Sequence, residues 1–231
     1  MNNLALAGAL VTAPSSAFAE LRERPRFWFP LLLIVLSSTA MVYWYYSVVD
    51  FEWLKDLMFS HNPKFEALPE AQRAAAMGTF SRPVLLWSSV IGTLVIVPFF
   101  FVLQSLYFWV AAKVTKIPLG FKHWFALTAW STLPILLGTV VGAILLLLSH
   151  NTQISPSSLA PFFLNELVFH RPFGSAAQPI LDSLTITGFI CWGLMIFGVR
   201  TWSQRSWFFS AAYVLLYIAV FYAVVSYIAF K

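Results

Sequence analysis

Five long stretches of the chain are apolar almost without interruption, and polar residues concentrate between them. Runs of about 18 or more apolar residues predict transmembrane helices, because roughly 20 helical residues cross a hydrocarbon core of about 30 Å. The stretches cover residues 27–49, 83–112, 124–148, 180–199 and 207–230. The pattern therefore predicts an all-α fold, a polytopic membrane helix bundle of five transmembrane helices with short interfacial helices.

Aromatic residues crowd the ends of these stretches, where amphipathic rings settle at the level of the lipid headgroups. The tryptophans at these ends are Trp28, Trp87, Trp109, Trp124, Trp202 and Trp207. The second stretch is longer than a perpendicular helix needs. We expect it to tilt, to bend near Pro98 or to project beyond the membrane.

Two longer connecting segments, residues 50–82 and 151–178, place apolar residues at helical spacing among polar ones. The first also contains the helix-start signal Leu68-Pro69-Glu70. Both segments predict short helices that lie on the outer surface or cap the bundle. Interface anchoring is the favoured role, and binding of a peptide or substrate is the alternative.

The segment before the first span predicts an interfacial helix over residues 15–24. Ser15 is the expected N-cap, Phe18 and Leu21 share one face, and Glu20 pairs with Arg24 four residues later. We therefore divide the chain into a cytoplasmic N-terminal segment, residues 1–26, and a membrane domain, residues 27–230.

The first 19 residues also have some character of a signal peptide. Residues 4–11 are apolar, and Ala17-Phe18-Ala19 resembles a cleavage site for signal peptidase. A signal peptide begins with basic residues, however, and no Lys or Arg precedes Arg22. We expect the segment to be retained, with cleavage after Ala19 as the alternative.

Composition and charge support a membrane protein and give it a direction. Only 10% of the residues are charged and 60% are hydrophobic, whereas a soluble domain has about a quarter charged. With the N-terminus in the cytoplasm, the inner segments hold eight of the 14 basic residues. Cytoplasmic loops are enriched in Lys and Arg, so this orientation is predicted, with the C-terminus on the far side. The net charge of +5 then reflects topology and attraction to anionic lipids, and nucleic acid is not an expected partner.

Polar residues inside the spans need partners, because an unpaired polar group in hydrocarbon is costly. Gln104 in the second span and Ser131 and Thr132 in the third lie at a similar depth, roughly 12 Å from the inner face. We predict an interhelical hydrogen bond among them, as helix packing in preference to a substrate site.

Pro134 interrupts the third span near the same depth and frees a backbone carbonyl for one of those side chains. Small residues follow it. Gly138 and Gly142 form a GxxxG step, and Gly188 lies in the fourth span. These glycines predict close packing of the third and fourth helices, or a seam between two copies of the chain.

No arrangement of residues in the sequence is typical of an enzyme. Cys191 is the single cysteine, and the four histidines are scattered over the loops without ligand spacing. No nucleophile elbow, P-loop or dinucleotide fingerprint is present. We expect neither catalytic activity, nor a cofactor, nor a metal.

Two segments resemble the bacterial branch of the Yip family, the Ypt/Rab-interacting or YIPF-like proteins. The first is residues 14–25, and the second runs from Leu106-Tyr107 through Lys113 and Gly120-Phe121-Lys122 to Leu133-Pro134. The resemblance implies five spans with the N-terminus inside. In eukaryotes the family is associated with vesicle trafficking and Rab GTPases, through a long N-terminal region with an Asp-Leu-Tyr-Gly-Pro motif. This sequence lacks that region, so Rab binding is not expected.

Two classes of function remain. The first is a non-catalytic protein of the bacterial inner membrane that organises the membrane or binds lipids, partner proteins or further copies of itself. The second is a small transporter or channel component with a polar site between the second and third helices.

Overall fold

The computed structural model describes residues 1–60, 65, 67–171, 175 and 177–229. These residues form eleven α-helices, a 3₁₀ helix at Ser157–Leu159 and a π-helix at Asn165–Phe169, and no strand is found in this part of the chain. The helices are α1 (Asn3–Thr12), α2 (Pro14–Glu23), α3 (Trp28–Val48), α4 (Phe51–Ser60), α5 (Glu70–Thr79), α6 (Arg82–Val114), α7 (Phe121–Ser131), α8 (Ile135–Leu148), α9 (Gln178–Ser183), α10 (Ile186–Ser203) and α11 (Trp207–Ala229).

Five segments are long and apolar enough to cross a membrane, which confirms the predicted fold class of a polytopic helix bundle. They are α3, α6, α7 with α8, α10 and α11. The second span, α6, runs through Pro98 for 33 residues. At 1.5 Å per residue it is about 50 Å long, well beyond the hydrocarbon thickness.

The helix ends agree with the prediction at the first, second, third and fifth spans. They disagree at the fourth span. Residues 178–183 form the separate helix α9, and the fourth span begins at Ile186 instead of near residue 180. Leu184 is extended, and its carbonyl accepts a hydrogen bond of 2.8 Å from the Leu164 amide. The Ile186 amide donates to the Phe162 carbonyl at 3.0 Å. This backbone pairing with a distant segment interrupts the helix.

The third span is interrupted as predicted at Pro134. Helix α7 ends at Ser131, and α8 begins at Ile135. The segment between the first two spans also contains the two expected short helices, α4 and α5.

The chain divides into two compact units, and the first consists of Met1–Val35, Ile96–Leu136 and Thr187–Val225. Its interior is aromatic and fully buried, with Phe18, Phe108, Trp124, Trp130 and Trp202 as its largest members. Trp124 and Trp202 lie near helix ends, as the sequence indicated, but they pack inside the protein and have no surface left to face lipid headgroups. Trp28 and Trp207 remain more than half exposed, as the interface prediction requires.

The second unit is built from Leu36–Val95, Leu137–Ile186 and the residues from Ser226 onward. Arg82 at the start of α6 donates to the carbonyls of Ser47 at 3.0 Å and Val49 at 2.9 Å, at the end of α3. Asp50 then accepts from the Trp53 amide at the start of α4. That hydrogen bond, and one from Gln153, hold the pKa of Asp50 below its ordinary value.

The N-terminal helices differ from prediction in three details. Helix α2 begins at Pro14, with Ala13 in place of Ser15 as its N-cap, because proline at the first helical position has no amide hydrogen to satisfy. Glu20 pairs with Arg26 at 2.9 Å instead of Arg24. Residues 3–12 form an additional helix, α1, which Asn2 caps by accepting from the Ala5 amide. The division of the chain at residue 26 stays a prediction.

Candidate functional site

Gln104 lies in α6 and is partly buried. Its side-chain amide donates to the thioether sulfur of Met195 in α10, at 3.4 Å. A thioether is a weak acceptor, so this contact satisfies the amide only in part. Gln104 thus joins the second span to the fourth, where a contact with the third was predicted.

The predicted partners of Gln104 make other contacts. Ser131 is fully buried, and its hydroxyl has no hydrogen-bond partner among the described residues. The Thr132 hydroxyl donates to the carbonyl of Thr128 in its own helix at 2.8 Å. The expected hydrogen bond between Gln104 and these hydroxyls is therefore wrong, and a wider role for the cluster stays a prediction.

A polar contact between the second and third spans does exist, at Ser105, one position after Gln104. The Ser105 hydroxyl lies 3.2 Å from the Thr128 hydroxyl, and both residues are fully buried. Ser105 also donates to the carbonyl of Phe101 at 2.6 Å. Neighbouring helical residues point about 100° apart, so Gln104 meets the fourth span where Ser105 meets the third.

Pro134 frees the carbonyl of Trp130, four residues earlier, from its usual helical partner. The Leu133 amide donates to that carbonyl at 3.3 Å. The free carbonyl is thus met by backbone, where a side chain of Gln104, Ser131 or Thr132 was expected.

The glycines of the third span face the segment that follows it. A Cβ at Gly142 would lie 2.5 Å from the Leu159 carbonyl oxygen, and one at Gly138 would lie 3.7 Å from the Phe162 ring. Gly142 therefore permits a close backbone approach, and a pocket of about 230 Å³ lies beside both glycines. Gly188 is half-buried in α10, and its packing role stays a prediction.

Gly198, in α10, permits a close approach of neighbouring side chains in the first unit. A Cβ at this position would lie 2.2 Å from Cδ1 of Leu127 in α7 and 2.9 Å from Cε1 of Phe18 in α2. The missing side chain leaves room for the Phe18 ring beside the fourth span.

Tryptophan side chains hold the N-terminal segment against this interior. Nε1 of Trp202 donates to the Phe18 carbonyl at 2.7 Å, and Nε1 of Trp130 donates to the Arg26 carbonyl at 2.6 Å. A buried indole needs a partner for its N–H, so each bond satisfies a donor and also fixes the backbone of the N-terminal segment. The centroid of the Phe18 ring lies 6.5 Å from that of Phe197 and 6.4 Å from that of Trp202.

Among the described residues outside the spans, Asp182 in α9 is one of the titratable groups whose environment shifts its pKa. Burial raises the pKa of Asp182 in α9, against a hydrogen bond of 2.9 Å from the Gln178 amide. No group of three or more His, Cys, Asp or Glu side chains comes together in the part of the chain that the structure describes.

Comparison with known protein families identifies the family of this chain. A family model described as the Yip1 domain matches residues 8–228, nearly the whole chain. No curated protein and no solved structure matches significantly.

Proposed function

Since this chain belongs to the Yip1 domain family, we propose that it works without catalysis, organising the membrane by binding lipids and partner proteins. The protein is placed in a bacterial inner membrane in this proposal. Its N-terminus is cytoplasmic and its C-terminus lies on the far side. The second candidate, a transporter or channel component, has only the predicted polar cluster in its favour.

The observation that carries the proposal is the mainly apolar, aromatic interior of the first unit. Phe18, Phe108 and three tryptophans occupy the space where a solute path would need polar lining. Gln104 contacts a thioether there, and neither Gln104, Ser131 nor Thr132 lines the pockets of about 460 and 540 Å³ in this unit. Selective passage of a solute requires polar groups along its route.

Lipid contact is supported by the outer faces of the spans. Large apolar side chains are exposed along all five, among them Leu36, Val95, Leu137, Phe189 and Leu216. In a bilayer such side chains meet acyl chains at no cost, whereas in water they would drive aggregation.

Reconstituted vesicles test the choice between the two functions. We expect no flux of protons, potassium or inorganic phosphate above that of protein-free vesicles, and we expect lipid to remain bound in native mass spectrometry after purification. Gln104→Leu should behave like the unmodified protein in the flux assay. Specific flux that Gln104→Leu lowers would contradict the proposal and support the transporter.

Labelling of single cysteines tests the orientation. With Cys191→Ala as background, Gln72→Cys is expected to react with a membrane-impermeant maleimide in intact spheroplasts. Lys116→Cys should react only after lysis, because its segment carries the basic residues that stay in the cytoplasm. Both positions are exposed, so accessibility is matched. The reverse pattern of labelling would invert the topology.

A further inference from the structure

A pocket of about 460 Å³ opens in the first unit where the first and third spans begin. Its lining combines two cationic side chains, Arg26 and Lys122, with a proline and four aromatic rings. No carboxylate is found among the described residues that line it. Both spans start here, so the pocket lies at the level where headgroups meet acyl chains.

The aromatic wall is continuous and reaches the outer surface. Between ring centroids, Phe27 lies 4.7 Å from Phe125 and 5.0 Å from Trp28. The centroid of Phe121 lies 5.8 Å from that of Phe125. Trp28 is 64% exposed, and Leu32, one turn further along α3, is 48% exposed. An apolar track therefore leads from the pocket along the first span.

Two helix N-termini add positive potential to the pocket. Helix α3 begins at Trp28 and α7 at Phe121, and neither has an acidic residue in its first turn. The N-cap of α7, Gly120, offers no side chain to the free amides. Such amides and the helix dipole favour an anion at this position.

Arg26 supplies a positive charge at the pocket. Its Nη2 donates to Glu20 at 2.9 Å and to the Met1 carbonyl at 2.6 Å, so Glu20 offsets part of that charge. A guanidinium carries five N–H donors, and these two contacts use only Nη2. Its hydrogen bonds to an anionic oxygen are stronger than those between neutral groups. Lys122, exposed beside it, adds a second full charge.

We propose that this pocket binds the phosphate headgroup of an anionic phospholipid. Arg26 and Lys122 face the phosphate, and an acyl chain runs past Trp28 and Leu32. A free phosphate would use the cations alone, whereas the aromatic wall and the exposed track fit a lipid. This inference rests on the proposed function, because it names the class of lipid and the place where it binds.

Native mass spectrometry with equimolar phosphatidylglycerol and phosphatidylcholine tests the pocket. We expect the unmodified protein to retain the anionic lipid preferentially. Lys122→Gln and Arg26→Gln should each weaken that retention about five-fold, as for the loss of one basic residue near an anionic surface. Lys122 makes no ion pair in the described structure, so Lys122→Gln should fold even if Arg26→Gln does not. Lys116→Gln is the matched control: it removes another exposed charge, outside the pocket, and should leave retention unchanged.

Three results of the lipid-retention measurements would overturn the assignment, and a fourth would come from competition with phosphate. They are equal retention of both lipids, unchanged retention in Lys122→Gln, and a loss in Lys116→Gln as large as in the pocket variants. Displacement of phosphatidylglycerol by millimolar inorganic phosphate would make the ligand a free anion and would also overturn it. Solute flux would contradict the proposed function but not the assignment of the pocket to an anionic lipid. Equal retention of the two lipids without solute flux would contradict only the assignment of the pocket.

Discussion

Replacing Phe18 by alanine is expected to lower the free energy of unfolding by about 3 kcal/mol. The Phe18 ring is fully buried between Phe197 and Trp202, and Gly198 has no side chain to fill the space that alanine would leave. The loss combines removed apolar contacts with an unfilled cavity. Thermal unfolding in detergent should show a midpoint about 6–12 °C lower.

Phe208→Ala is the control for this experiment. Phe208 lies in α11 and is 84% exposed, so the same chemical change there creates no cavity. Its unfolding midpoint should stay close to that of the unmodified protein. Equal midpoints for Phe18→Ala and Phe208→Ala would mean that the N-terminal segment is not part of the folded core.

Replacing Gly142 by alanine is expected to destabilise the second unit by about 2 kcal/mol, as overpacking of a tight interior does. The added methyl group would lie 2.5 Å from the carbonyl oxygen of Leu159. Backbone cannot rotate away as a flexible side chain can, so α8 and the segment around Leu159 must separate. Proteolysis of the segment between the third and fourth spans should become faster.

Gly92→Ala makes the same change where there is room for it. Gly92 lies inside α6, and nothing comes within 4 Å of a Cβ placed there. Alanine favours a helix by up to about 1 kcal/mol over glycine, so this variant should be neutral or slightly more stable. Destabilisation as large as that of Gly142→Ala would refute the close approach at Leu159.

The spans could be predicted because a helix that crosses lipid requires a long run of apolar residues, and such runs are visible in the sequence. The fourth span shows where that signal fails. Ile180 and Leu181 continue the apolar pattern, yet the helix is broken after Ser183 by pairing of Leu184 with Leu164. Such pairing depends on a segment about 20 residues away, and no local pattern records it.

The partners of Gln104 were predicted wrongly, although Ser105 and Thr128 join the same two spans. Position along a helix fixes depth at 1.5 Å per residue, whereas the direction of a side chain depends on how the helix is rotated. Gln104 and Ser105 differ by one position, and only the packed structure shows that Ser105 meets Thr128. The sequence indicated this contact only in that both spans carry small hydroxyl residues, Ser105 in the second and Thr128 in the third.

The buried tryptophans show a related limit. An aromatic residue at the end of a span suits the headgroup region and a packed interior equally well. Trp124 and Trp202 become interior because Phe18 and Leu21 of α2 pack into the same core cluster. The shared face of Phe18 and Leu21 was visible in the sequence, but the surface that it covers was not.

The hydrogen bond from Trp202 to Phe18 also bears on the order in which the protein is made. It joins residues 184 positions apart, and Phe18 emerges from the ribosome long before Trp202. Contacts of such high sequence separation form late, since the chain between them must first be placed. During biogenesis α2 must therefore wait until the fourth span has been inserted, with its apolar face open to lipid or to an insertion factor in the meantime. The contact between α2 and the fourth span therefore forms only after most of the membrane domain has been synthesised.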